Sequence, residues 1–506
     1  MIVGVWLYSE QQARQVLPVF KVPWTMYVVL SSSAIAGIHP MYSSAASDYS
    51  GRRGGRSRGM PLPELPIEIQ EQVLDHLHDD RRALRACSLV CSAWISTARL
   101  HLFRVVDLHR ARDCLRFLAV LESTSNGYGI RAGVGRLVRE LRLPTMTFDQ
   151  RGRKEGQRFD LLCQILRRLP NVELLNMERF DWFTFAELLA GPGEDRANAD
   201  LRDAFASVFP FPRLTTLLLR SMRPRNHPEA LQLISAFPSL TSVELVQITG
   251  SQSSEDDELV AVSYHGGPRV CIRELVVDRW SSSPPALRKI LEGLLRPPFD
   301  LRLRKLQWKT SAADETSNHS DGPVLTEMFR GAADTLEKFE LDILRDDWLE
   351  KNDVSRHRAL TDVVLTFGFT RYYSCHWPAV PRFIAQLNSG ALREVQLRFE
   401  DLHARFHWEF LPWKEMTDAL RTLHQRHPSV VVTFTFLFRV RLGQLEPAPF
   451  VVEPLRALIR PVLKAGMRVA VVRTGLMDSY KYNSSSPGAP DVTWSPVWSA
   501  RTWLSA

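Results

Sequence analysis

One short pattern of hydrophobic and polar positions recurs nine times between residues 138 and 397. Each copy reads apolar-x-x-apolar-x-apolar, and its last two apolar residues alternate with a variable one, as the buried face of a strand requires. The pattern predicts nine strands, and less regular strands are expected at 431–436 and 468–473. The nine copies are residues 138–143, 172–177, 214–219, 240–245, 272–277, 303–308, 336–341, 360–365 and 392–397.

Segments with helical periodicity separate these strands, and several end at a proline or glycine before the next strand. Because successive strands are roughly thirty residues apart, the region fits a solenoid of strand-plus-helix units with a parallel sheet on one side. An ordinary α/β domain would also combine such elements, but the repeated hexapeptide favours the solenoid. The helical segments include residues 159–169, 229–237, 285–295 and 416–424.

A different pattern precedes the repeats, between residues 62 and 103. Pro66 suits the first turn of a helix, and Ile69, Val73 and Leu77 then recur every four residues on one apolar face. An amphipathic unit of about forty residues seldom buries enough apolar surface to be stable alone. This segment is therefore expected to dock onto another protein or onto the rest of the chain.

Two more helical segments are expected within this unit. Either Asp79 or Asp80 can cap the first of them, which carries Leu84 and Cys87 on one side. Ser92 is expected to begin the next.

The order of residues in this segment resembles an F-box of the fungal type, over less than a tenth of the chain. An F-box is a module of three helices that inserts into the Skp-type adaptor of cullin–RING ubiquitin ligases. The resemblance therefore implies an adaptor and, through it, a cullin as partners. The residues that carry it are Leu62, Pro63, Leu65, Pro66, Glu68, Ile69, Leu74, Leu77, Leu84, Leu89, Val90, Cys91 and Trp94.

Carried over position by position, the resemblance implies eleven adaptor-binding residues. Leu74, Cys87 and Trp94 are at least as well explained by packing among the three helices, whereas Leu65 and Pro66, near the start of the module, favour partner contact. The adaptor-binding candidates are Leu62, Pro63, Leu65, Pro66, Ile69, Val73, Leu77, Leu84, Leu89, Val90 and Trp94.

The repeats resemble a degenerate leucine-rich-repeat array, which implies a curved parallel sheet. The position three residues after the strand, where such repeats place Asn or Cys, holds Met222, Ile248, Trp280 and Leu344 here, so an irregular array without an asparagine ladder is expected. Variable strand positions would then face a protein target, although a solvated sheet face explains any one of them more simply. These candidates are Arg139, Arg142, Glu244, Arg273, Arg304, Gln307, Glu340, Arg393 and Gln396.

The charge and cysteine content narrow the class of protein. The net charge is +8, but residues 1–59 hold six basic and two acidic residues, and the remainder is nearly balanced at 58 against 54. Charge therefore does not support nucleic-acid binding. Six cysteines without paired spacing in 506 residues favour a reducing compartment, the cytoplasm, the nucleus or both.

Residues 22–38 resemble a weak signal anchor, but they are short and interrupted by Pro23 and three serines. A disordered leader, or a true start at Met41 or Met60, is the simpler interpretation, and no membrane association is expected. The loop at residues 251–258 resembles an acidic kinase target or a solvated loop. Trp494, Trp498 and Trp503 stand in a tail that docks back onto the last repeat or binds a partner.

Residues suited to catalysis or metal binding do not form a recognisable motif. His403 and His407 are four apart, but Ala404 replaces the glutamate of a His-Glu-x-x-His motif. Cys87 and Cys91 fall on apolar faces, so packing explains them better than a zinc site. Cys375-His376 has no orienting group nearby. No enzymatic activity, metal or cofactor is expected.

The sequence therefore predicts a mixed α/β protein: a leader and basic linker (1–59), an F-box (60–106), an irregular leucine-rich-repeat-like domain (107–477) and a flexible tail (478–506). The expected function is substrate recognition in a Skp–cullin–F-box ubiquitin ligase. The alternative is an F-box scaffold or interaction module outside a ligase. The sequence of the repeats does not identify their target.

Overall fold

The computed structural model describes residues 66–90, 92–125, 133–144, 155–180, 182–190, 201–224, 226–249, 269–278, 284–309, 322–343, 347–368, 377–402, 411–439, 451–480 and 492–505. The chain divides into two compact units, Met1–Gln70 and Glu71–Ala506. Of the shorter unit, residues 66–70 are described. There the N–H groups of Ile69 and Gln70 donate to the carbonyl oxygen of Pro66 (3.1 and 3.2 Å), which begins the first helix.

A single 13-stranded sheet organises the longer unit, and the strands follow one another in sheet order as they do in sequence. All neighbouring strands are parallel except the last pair, which is antiparallel. The strands are β1 (Val105–Asp107), β2 (Glu140–Pro144), β3 (Leu174–Glu178), β4 (Thr216–Arg220), β5 (Ser242–Val246), β6 (Val270–Asp278), β7 (Phe299–Lys309), β8 (Lys338–Ile343), β9 (Asp362–Gly368), β10 (Glu394–Leu402), β11 (Val431–Arg439), β12 (Arg468–Tyr480) and β13 (Val492–Leu504).

Fourteen α-helices occur in the described part of the chain, and most of them connect consecutive strands. They are α1 (Ile67–His76), α2 (Arg81–Val90), α3 (Ser92–Arg104), α4 (Ala111–Ser125), α5 (Glu155–Leu166), α6 (Trp182–Ala190), α7 (Arg202–Val208), α8 (His227–Ser235), α9 (Pro284–Leu294), α10 (Gly322–Gly331), α11 (Asp347–Lys351), α12 (Ala379–Gln386), α13 (Trp413–Arg426) and α14 (Val452–Lys464).

The sheet has one covered and one open face. Crossovers between parallel strands share one hand, and each new strand is added at the same edge, so the connecting helices collect on one side. The burial of the strands agrees, because buried and half-buried residues alternate along β3, β4 and β5. We call the side that carries the half-buried residues the open face.

The predicted hexapeptides form the strands, and their pairing register matches the repeat. The fourth residue of each copy pairs with the fourth residue of the next, and all nine of these side chains are at most 1% exposed. Since a one-residue slip would expose every one of them, burial of this row specifies the register. The row consists of Leu141, Leu175, Leu217, Val243, Leu275, Leu306, Phe339, Val363 and Val395.

The strands of the early repeats end sooner than those of the late repeats. Arg179, Ser221 and Gln247, directly after β3, β4 and β5, have positive φ values of 49°, 52° and 53°, which an extended strand does not allow. The later strands β9, β10 and β11 continue past this point, and Phe367, Phe399 and Phe436 occupy it. Their rings stack at centroid distances of 5.0 and 5.1 Å inside the covered face.

The end of the chain differs from the predicted flexible tail. The strand β13 pairs antiparallel with β12, from Val492 beside Tyr480 to Leu504 beside Val469. Leu504 is 8% exposed and belongs to the main core, so burial of an apolar side chain stabilises this segment, together with pairing along β12 that shifts register once, between Gly475 and Leu476. The sheet therefore extends beyond residue 477, and it begins at β1, directly after α3.

The structure shows how the apolar residues at the Asn or Cys position are used. Met222 and Ile248 are 1% and 2% exposed and belong to the core, whereas Trp280 and Leu344 lie outside the described residues. An apolar side chain thus fills a position where an amide would need hydrogen-bond partners.

Candidate protein-binding surfaces

In the longer unit, the part of α1 from Glu71 onward, α2 and α3 enclose a small core of their own. Leu74, Leu84 and Cys87 are at most 3% exposed and contact one another. Leu77, Trp94 and Leu102 are partly buried and pack against these three. Burial also raises the pKa of the Cys87 thiol, which is free. Packing among helices therefore accounts for Leu74, Cys87 and Trp94.

Polar contacts hold these helices in place. The Asp80 carboxylate accepts hydrogen bonds from the N–H groups of Arg82 (2.9 Å) and Ala83 (3.0 Å), so Asp80 caps α2. Nε2 of His101 in α3 lies 2.9 Å from Oδ1 of Asp75 in α1. The sequence left Asp79 and Asp80 open as caps, and the structure selects Asp80.

Apolar side chains that face outward are concentrated on the same helices. In the longer unit Val73 is 38% exposed, Leu89 78%, Val90 67% and Leu100 47%. In the shorter unit Ile67 and Ile69 are 51% and 42% exposed. Among the other described residues, the large apolar side chains that are similarly exposed are Leu115 and Trp503. Within the longer unit, such a concentration of exposed apolar side chains is typical of a protein-binding surface.

The eleven adaptor-binding candidates fall into four groups. Leu62, Pro63 and Leu65 lie outside the described residues. Leu84 is fully buried in the helical core, so its side chain does not reach the surface, and Leu77 and Trp94 are partly buried against that core. The candidates with exposed side chains are Pro66 and Ile69 in the shorter unit and Val73, Leu89 and Val90 in the longer unit.

The target-binding candidates of the repeats lie in two rows. One row follows the middle of the strands on the open face. The other is formed by the second residue of each hexapeptide, where backbone hydrogen bonds join equivalent residues of consecutive repeats. The first row holds Arg142, Glu244, Gln307, Glu340 and Gln396, and the second holds Arg139, Arg273, Arg304 and Arg393.

Most side chains of the first row already have partners within the chain. Arg142 bonds to Glu140 (2.6 Å), and Arg220 pairs with Glu244 (2.6 Å). Other contacts join Arg398 to Glu340 (2.7 Å) and the amide of Gln396 to Thr435 (2.7 Å). A target that used these groups would first have to displace their present partners.

In the second row, Arg139 pairs with Glu173 (2.8 Å) and Arg304 with Glu337 (3.7 Å). Both pairs are largely exposed and contribute little to stability.

A carboxyl group with an altered pKa lies on the open face of β8. Burial raises the pKa of Asp342 from its ordinary 3.8 to about 7. The neighbouring Glu400 and Glu340 raise this pKa further, whereas Lys309 lowers it. The ionised carboxylate is therefore unfavourable in the folded protein near neutral pH.

We expect the Asp342→Asn variant to unfold at higher urea concentrations than wild type at pH 8 and at nearly the same concentration at pH 4. The folded pKa is raised, so between about pH 4 and 7 the folded state holds a proton that the unfolded state has released, and stability falls as pH rises. The difference in unfolding free energy between Asp342→Asn and wild type reaches at most about 4 kcal/mol above pH 7.

Urea denaturation at pH 4, 5, 6, 7 and 8 measures this difference. Glu400→Gln serves as a second variant, which removes a neighbouring negative charge and should reduce the pH dependence. Equal pH dependence in wild type and Asp342→Asn would contradict the expectation.

The described residues contain no group of three or more His, Cys, Asp and Glu side chains placed to hold a metal ion. Cys91, Cys375, His376, His403 and His407 lie outside these residues. Burial raises the pKa of the Cys114 and Cys163 thiols to about 11. These two side chains therefore stay protonated and unreactive at neutral pH.

The described helices include none long and apolar enough to cross a membrane. Comparison with protein-family models finds no match to this chain. Comparison with curated proteins finds no significant match either.

Proposed function

We propose that this chain is the substrate-recognition subunit of a Skp–cullin–F-box ubiquitin ligase. The observation that carries the proposal is the concentration of exposed apolar side chains on the helices whose sequence resembles an F-box. Val73, Leu89 and Val90 of the longer unit would contact a Skp-type adaptor, as would Pro66 and Ile69 of the shorter unit. The adaptor would connect the chain to a cullin.

The repeats would bind a protein target, as in the leucine-rich-repeat array that they resemble. The regular register of the strands and the open sheet face support this role, because they offer one extended surface along the whole stack. The chain would contribute proximity and orientation and no bond-making group. It would work in the cytoplasm, the nucleus or both, without a cofactor.

Co-purification of the adaptor and cullin with the full chain tests this proposal. We expect wild type to capture both proteins, and a Leu65→Ala, Pro66→Ala double variant to capture neither while the repeats stay folded by circular dichroism. Failure of wild type to capture the adaptor would refute the proposal. Capture of the adaptor without a cullin would favour the alternative, an F-box scaffold outside a ligase.

A further inference from the structure

Among the described strands, the last one leaves a long edge of the sheet unpaired. In sheet order β13 is terminal, and among the described strands it pairs with β12 alone. Its 13 residues contrast with the three residues of β1 at the opposite edge. A long edge strand presents a row of unpaired backbone N–H and C=O groups, to which another extended segment can bond.

An exposed tryptophan lies on this strand. Trp503 pairs with Ala470 of β12, and its side chain is 49% exposed. Ala470 occupies the strand position equivalent to Gln396 and Thr433, so Trp503 lies on the open face. Indole rings supply large contact area at low cost in conformational entropy, which is why they are enriched at protein interfaces.

Two guanidinium groups lie over the ring of Trp503. The Cζ atoms of Arg468 and Arg501 are 5.2 and 4.7 Å from its centroid. Neither arginine has a carboxylate partner among the described residues, whereas Arg142, Arg220 and Arg398 on the same face each do. Two like charges on one ring repel each other, and a bound anionic group would relieve that repulsion.

We propose that the β13 edge binds an extended acidic segment of a partner protein, which adds to the sheet as a further strand. The backbone of β13 would pair with the segment, and the segment's carboxylates would lie beside Arg468 and Arg501. The indole of Trp503 would cover the side chain of the segment that lies next to it. A second copy of this chain fits less well, since its own β13 contains no acidic residue to lie beside the arginines. The identification of this partner as a target of ubiquitin ligation rests on the proposed function. The binding of an acidic segment to the β13 edge does not depend on that function.

Fluorescence anisotropy with the purified full chain and no adaptor tests the proposal. The probe is a fluorescein-labelled ten-residue peptide of alternating Glu and Thr. We expect Arg468→Glu and Arg501→Glu each to weaken its binding about tenfold, and Trp503→Ala to weaken it several-fold, with the fold verified by circular dichroism. The matched control is Arg358→Glu, a charge reversal at an exposed arginine outside the sheet, which should leave binding unchanged.

Two further probes separate strand addition from simple charge attraction. A peptide of alternating Lys and Thr should not bind, and the Glu-Thr peptide with N-methyl groups on two adjacent central residues should bind at least tenfold more weakly. Equal binding of the N-methylated and unmodified Glu-Thr peptides, equal binding of the Lys-Thr peptide, or unchanged binding to Arg501→Glu would overturn the proposal. Dimerisation of the chain that Trp503→Ala abolishes, seen by sedimentation equilibrium, would assign the edge to a second copy instead.

Discussion

A Leu89→Gln, Val90→Gln double variant is expected to bind a Skp-type adaptor at least about 100-fold more weakly than wild type. Both side chains are more than two-thirds exposed near the carboxyl end of α2. Burial of a leucine or valine side chain contributes about 1.5–3 kcal/mol each, and about 1.4 kcal/mol corresponds to a tenfold change in affinity. Isothermal titration calorimetry with purified adaptor measures the loss.

Glutamine is chosen because it forms helices readily and adds no charge near the end of the helix. The thermal midpoint should therefore stay close to that of wild type, since neither side chain packs in the core. Leu115→Gln is the matched control: Leu115 is 59% exposed and also lies on a helix, α4, but outside the F-box-like segment. A dissociation constant of the double variant within threefold of wild type would contradict the assignment of this surface.

The Phe399→Ala variant is expected to lower the free energy of unfolding of the repeat unit by about 3–5 kcal/mol. The ring of Phe399 is fully buried and stacks between Phe367 and Phe436, at interplanar angles of 17° and 18°. Its removal leaves a cavity that borders both neighbouring strands. In a stacked array each repeat is stabilised by its neighbours, so two interfaces weaken together.

Urea denaturation followed by circular dichroism measures this loss. Phe399→Leu keeps an apolar side chain at the site and should cost less than about 1.5 kcal/mol. A loss below about 1 kcal/mol for Phe399→Ala would show that the three rings do not form a packed row.

The strands were predictable because their signal is local. A strand with one buried face must alternate apolar and variable residues, and each hexapeptide carries that alternation within six positions. The buried residues also stand at the same positions in every copy, which determines the pairing of Leu141 with Leu175 and of the equivalent residues in later strands. By contrast, β1 has only three residues directly after a helix, and β13 mixes tryptophan, serine and proline, so neither carries a recognisable repeat.

The candidate surface was predictable only in part. Leu84 and Leu89 stand five residues apart on α2, and the resemblance to an F-box implied a partner contact for both. In an α-helix this spacing directs them to different sides, so one enters the core while the other is exposed. Which side faces the core depends on where Leu74, Trp94 and Leu102 pack, and those positions come from other helices.

The sequence by itself determined the strand periodicity, the phase of the repeats and the segment that resembles an F-box, because each depends on the spacing of residue types along the chain. Only the tertiary structure decided the raised pKa of Asp342, which arises first from burial and then from Glu400 on another strand. It also decided that Arg468, Arg501 and Trp503 meet at the sheet edge. Burial and charge act through distance in space, and distance between strands is set by the fold.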